Sequence, residues 1–198
     1  MRFVHFFSDD ASTEPEEPQE WRAPEWMAPP DDELPSVFPL AMILARNERV
    51  VLSLLIAEVF STGVRLPVTV VQRRTTETIR EWNESVNFQG SYSGGAEDLR
   101  FGIQFADGGR AVPPRTWRAD MMTVPPEAPA LTVNGGGGGG GPTRNETTQQ
   151  LWLWPLPPAQ SFELVLEWRD RGIGETRVTL DGAALAAAAS GVQQLWAE

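Results

Sequence analysis

The sequence predicts an all-β protein: a two-sheet β-sandwich with an acidic arm in front and one helix at the end. Three observations carry that prediction. Runs of Val, Leu, Ile and Phe alternate with polar residues at period two, the mark of half-buried strands. Turn signals built from Gly, Pro, Asp and Ser separate those runs at short intervals. No strand–helix–strand alternation is visible, which argues against a doubly wound fold.

Residues 1–34 read as a flexible arm, because a segment rich in Pro, Glu and Asp cannot offset its ordering entropy by burial. The arm also holds most of the net charge of −11: ten acids from Asp9 to Glu33 stand against Arg2 and Arg22. Within it, "EWRAP" at Glu20–Pro24 is followed directly by "EWMAP" at Glu25–Pro29. Pro24 and Pro29 break a helical pattern, so an extended, polyproline-like path is expected. Trp21 and Trp26 then have two readings. They fold back over an apolar patch or sheet edge of the body, or they form a short motif that docks on another protein.

The sandwich domain is expected over residues 35–198. "VFPLAMILAR" (Val37–Arg46) is a β-favouring run whose Pro39 places it at a sheet edge. "RVVLSLLIAEVF" (Arg49–Phe60) leads through Ser61-Thr62-Gly63 into "VRLPVTVVQRR" (Val64–Arg74), a hairpin in which Gly63 is expected to supply a positive φ. Pro67 cannot donate to a ladder, so it should face outward or sit at a bulge. "TTETIREWNES" suits a turn or two of helix with Ile79 and Trp82 three apart, and "QGSYSGGAED" suits a loop. Leu99, Phe101, Ile103 and Phe105 share one strand face, and Asp107-Gly108-Gly109 turns the chain back through Ala111 and Val112.

Seven consecutive glycines, Gly135–Gly141, follow a proline-punctuated stretch. A phosphate cradle would need a following helix and usually a Lys, neither of which this run has, and seven residues without side chains have the most backbone entropy to lose. A flexible inter-strand loop is therefore expected there. "QQLWLWPLPPAQSFELVLEW" reads as strand, proline corner, strand, with Phe162, Leu164, Leu166 and Trp168 on one face and Glu163, Val165 and Glu167 on the other. "ETRVTLDG" adds a last strand. Leu185, Ala189, Val192 and Trp196 recur at spacings of four, three and four, which predicts a helix over about 182–196 with Asp181 at its N-cap. About seven to nine short strands with one terminal helix point to a sandwich of immunoglobulin-like type.

As a set, "EWMAPPDDELPSVFPLAMILAR", the "EVFSTGVRLPVTV" hairpin, "LRFGIQFADGGR", the glycine run, "LWLWPLPPAQSFELVLEW" and "GIGETRVTLDGAAL" carry a likeness. Over roughly residues 24–196 the chain resembles a family of uncharacterised actinobacterial proteins, departing from it around Leu66 and Pro67. The resemblance implies no activity and no site residues.

Composition narrows the chemistry. The chain of 198 residues has no Cys and no Lys, since all 16 basic residues are Arg, and its one His is His5 in the arm. That leaves no thiolate, Schiff-base or Walker-lysine chemistry and no His for a triad in the body. The acidic balance argues against nucleic acid. The longest apolar stretch, "VVLSLLIAEVF", contains Glu58 and is too short to span a bilayer, and the apolar start ends at Asp9 and Asp10 before a signal core can form. A cytoplasmic protein without cofactor, metal or catalytic residue is expected.

Trp152 and Trp154 share a face and Trp168 is expected on a neighbouring strand; they either fill the core or form an exposed platform for a sugar or peptide. Glu163 and Glu167 would lie roughly 13 Å apart along their strand, beyond the ~5–9.5 Å of a glycosidase pair. The leading expectation is a non-enzymatic interaction or scaffolding module with an unknown protein partner, touched through Trp21, Trp26, Trp152 or Trp154. A carbohydrate- or peptide-binding sandwich and a carboxylate-pair hydrolase are the alternatives. Self-association through the edge strand Val37–Arg46 is a further expectation.

Overall fold

The computed structural model describes residues 22–87, 98–114 and 119–196. His5, Trp21 and residues 89–97 of the expected loop lie outside the described residues. In chain order the strands are β1 (Glu33–Leu34), β2 (Ser36–Arg46), β3 (Val50–Val59), β4 (Val64–Arg73), β5 (Arg100–Phe105), β6 (Arg110–Ala111), β7 (Ala130–Gly140), β8 (Arg144–Trp154), β9 (Phe162–Trp168), β10 (Ile173–Leu180) and β11 (Gln193–Gln194). Helix α1 (Ile79–Asn87) follows β4 and helix α2 (Gly182–Ala188) follows β10. Among the described residues, no helix is long and apolar enough to cross a membrane.

The protein is an all-β sandwich. Its first sheet has the order β2-β3-β4-β8-β7, its second the order β10-β9-β5-β6, and β1 pairs with β11 in a small third sheet; all pairings are antiparallel. Period-two alternation decides which side each strand buries. Val64, Leu66, Val68 and Val70 of β4, with Leu151 and Leu153 of β8, form the inner face of the first sheet. Phe101, Ile103 and Phe105 of β5 and Phe162, Leu164, Leu166 and Trp168 of β9 form that of the second. One hydrophobic cluster contains both faces, and each fully buried Leu or Val in it is worth about 1.5–3 kcal/mol relative to exposure.

Several local expectations hold. Pro39 lies on an edge strand, as its missing N–H requires. Pro67 of β4 lies where β3 carries an extra residue between Leu54 and Glu58, the bulge that a proline in a central strand needs. At the β5–β6 hairpin, Gly108 adopts φ +92° and the Gly109 N–H donates to the Asp107 carboxylate at 2.8 Å. Helix α1 starts on a capping box: the Thr78 N–H donates to Glu81 at 2.8 Å, and the Glu81 N–H donates to the Thr78 hydroxyl at 3.3 Å.

Five expectations need correction. The glycine run is not a loop; all but the last of its glycines belong to β7, paired with β8. Gly63 does not supply a positive φ. It is there because a Cβ would stand 2.6 Å from the Trp152 ring. The proline corner after Trp154 carries the chain from the first sheet to the second, so Trp168 is not on a strand beside Trp152 and Trp154. The terminal helix covers 182–188 rather than 182–196; a 3-10 turn follows at Ala189–Gly191, and the chain then extends into β11. Asp181 does cap it, accepting from the Ala183 and Ala184 N–H groups at 3.0 and 3.1 Å. Finally, the arm boundary at 34 gives way: residues 25–34 are packed and paired with the body, as the next section describes.

Candidate functional site

Three of the four tryptophans expected at a partner surface lie in one region: Trp26 touches Trp154, and Trp152 touches the main chain just before Trp26. Trp152 and Trp154 occupy the outer face of β8, because Leu151 and Leu153 take the inner one. Trp152 is nevertheless only 1% exposed. Its ring meets Phe60 edge to face at 5.6 Å, and its indole N–H donates to the Glu25 carbonyl at 2.8 Å. Trp26 stands edge-on to Trp154 at 6.3 Å and donates its own N–H to the Met121 carbonyl at 2.9 Å. The Thr132 hydroxyl donates to the Met27 carbonyl at 3.2 Å. A strap is thereby drawn over the outer face of the first sheet at the β7–β8 end. The fold-back reading of Trp26 is the one the packing follows, and Trp152 has no ring face open for a sugar.

The strap is pinned where it reaches the edge of the sandwich. Glu33 is 9% exposed, and its carboxylate accepts from the Ser61 N–H at 2.9 Å and from the Ser61 hydroxyl. Beside it, Glu58 pairs with Arg65, whose guanidinium lies 5.2 Å from the Phe60 ring centre. Comparison with protein-family models, with curated proteins and with solved structures gives no match. What the surface can do therefore rests on its own geometry.

The carboxylates considered for hydrolysis sit on the outer face of the second sheet and are neutralised there. Glu167 pairs with Arg100 and with Arg169, the latter at 2.7 Å. Arg177 bridges Glu163 at 2.9 Å and Glu175 at 2.8 Å. The hydrogen bond from Arg169 holds the Glu167 carboxyl below its ordinary range, with Arg100 adding to the effect and desolvation opposing it. Arg177 is correspondingly raised, by Glu175 first and then Glu163. Between these ladders Gly102, Val112 and Val165 floor a shallow hollow of about 310 Å³. Among the described residues, no group of three or more His, Cys, Asp or Glu could hold a metal ion.

The feature that sequence reasoning missed is β7. It is the end strand of its sheet, and among the described residues β8 is its one pairing neighbour. Its glycine part is exposed throughout and carries no side chain. The Gly141 N–H donates to the Arg144 carbonyl at 2.7 Å. Bonded and non-bonded pairs alternate along an antiparallel ladder. Gly140, opposite Asn145, and Gly138, opposite Thr147, thus turn their main-chain groups toward the open edge. The turn beyond is fixed by α1, whose buried Trp82 donates its indole N–H to the Gly141 carbonyl at 2.9 Å. A depression of about 400 Å³ runs along Gly137–Gly140, beside Arg144, Glu146 and Thr148. Arg144 is engaged by Glu146, and the run leads into a strand instead of a helix, so the arrangement is a strand edge and not an anion cradle.

Proposed function

We propose that the protein is a non-enzymatic interaction or scaffolding module, and that its binding element is the bare edge of β7. One observation carries this reading: a sheet ends in a strand whose exposed Gly135–Gly140 part has no side chains, and beyond its irregularity between Gly135 and Gly138 the outward groups of Gly138 and Gly140 meet no other strand among the described residues. Edge strands of this kind are templates for strand addition, and natural proteins ordinarily blunt them with charge, proline or cover. The glycines remove the side-chain selection that an ordinary edge would impose, and they leave room for bulky side chains on an incoming strand. The module is immunoglobulin-like in its layering alone, since β2, β3 and β4 run as a meander inside one sheet. The actinobacterial resemblance adds no activity to this reading.

The test uses Gly137→Lys and Gly139→Lys together, positions where a Cβ meets nothing within 4 Å. Fold and melting temperature should be retained while the edge acquires two cations. Proteins cross-linked to the wild-type chain through a photoreactive residue at position 135 should be lost from the variant. Identical cross-linked sets would remove the edge as the binding element.

A further inference from the structure

Away from β7, the other end of the same sheet has an unusual face. Along β2, Phe38, Leu40, Met42 and Leu44 point to the core. The alternate positions point to solvent, and they too are apolar: Val37 is 57% and Ile43 53% exposed, with Pro39 and Ala41 exposed between them. Leu34 just before the strand is 50% exposed, and Leu55 on neighbouring β3 is 60% exposed. A contiguous strip of large apolar side chains on the surface marks an interaction site more often than chance. The main-chain edge of β2 is unsuited to receive another strand. Pro39 has no N–H, Ala41 sits at φ +50°, and the ladder to β3 shifts register at Pro39/Met42 and again at Ile43/Ala45. The outward side chains, not the edge, are what a partner can use.

We infer that this strip is the contact between two copies of the chain, packed face to face about a two-fold axis near Pro39. Its charge pattern is self-complementary. Asp31 and Asp32 precede the apolar stretch, and exposed Arg46 ends it. A two-fold axis across the middle of the strip, near Pro39, brings the acidic end of one copy toward the Arg46 end of the other, each contact occurring twice as an isologous interface requires. A stacked pair of sheet faces keeps strands within about 30° of alignment, which this antiparallel arrangement satisfies. The inference is independent of β7, because the two strands occupy opposite ends of the sheet.

Sedimentation of the full chain from low micromolar to several hundred micromolar tests it. The wild type should pass from monomer to dimer across that range. Val37→Lys with Ile43→Lys should stay monomeric throughout with an unchanged far-UV spectrum and melting profile. Both side chains are exposed, so neither substitution opens the core. Asp32→Arg and Arg46→Asp should each weaken the dimer about tenfold, and the double exchange should recover most of that loss. A wild type that remains monomeric, a dimer that survives the lysine variant, or a double exchange with no recovery would each overturn the inference.

Discussion

Gly138 and Gly139 are neighbours in one featureless run, yet alanine should act on them in opposite directions. A Cβ at Gly138 would stand 2.6 Å from the Glu146 carbonyl oxygen and 2.8 Å from the Thr147 methyl, so β7 and β8 must part locally to admit it. Overpacking of that size costs about 1–3 kcal/mol. At Gly139 nothing lies within 4 Å, and φ is outside the left-handed region. Alanine there removes unfolded-state freedom without strain and should stabilise by about 0.4–1 kcal/mol. The two variants should therefore differ by roughly 1.4–4 kcal/mol, which for a domain of this size is about 2–4 °C in melting temperature for each kcal/mol. Urea unfolding at matched m-values measures the difference directly. Equal effects at both positions would mean that the glycines are unpaired slack, and β7 as a strand would be lost with them.

Two other outcomes follow from the strap and the charge ladder. Trp26→Ala removes the edge contact on Trp154 and the bond to the Met121 carbonyl; it should cost about 1–3 kcal/mol and shift tryptophan emission to the red as Trp154 meets water, whereas unchanged emission would show that the strap does not cover it. The Glu167 carboxyl is lowered in the folded state below its ordinary 4.5, so its contribution to stability is full above that value and is lost as pH falls through the lowered one. Carbon-detected NMR of the Glu167 carboxyl should show its midpoint below 4.5, moving upward in Arg169→Gln, and a midpoint at or above the ordinary value would contradict the pairing.

The parts of the fold legible in the sequence are those that local chemistry dictates. The β3–β4 hairpin, the edge position of Pro39, the bulge at Pro67, the Asp107 turn and the Asp181 cap follow from side-chain period, a missing N–H or a short polar acceptor. The glycine run was illegible because periodicity is written in side chains and this run has none. Its extended state comes from β8, which supplies the ladder across the hairpin. The fate of Trp152 and Trp154 was equally undetermined, since both faces of β8 are apolar there; a strap more than a hundred residues away in sequence decides which face is covered. The helical spacing of Leu185, Ala189, Val192 and Trp196 misled for a similar reason. Only Leu185 of these is buried, and beyond Gly191 the chain is extended by its pairing with β1.

That pairing has a mechanical meaning. Glu33 lies against Gln194 and Leu34 against Gln193, so the two ends of the body leave the small sheet side by side and in the same direction. Tension applied at Asp32 and Leu195 would open this clasp like a zip, one rung at a time, before any force reached the long ladders of the sandwich. The strap over Trp152 precedes β1 in the chain, so a pull from before Glu25 would peel it ahead of the clasp, its hold on the sheet resting on a few hydrogen bonds and two rings.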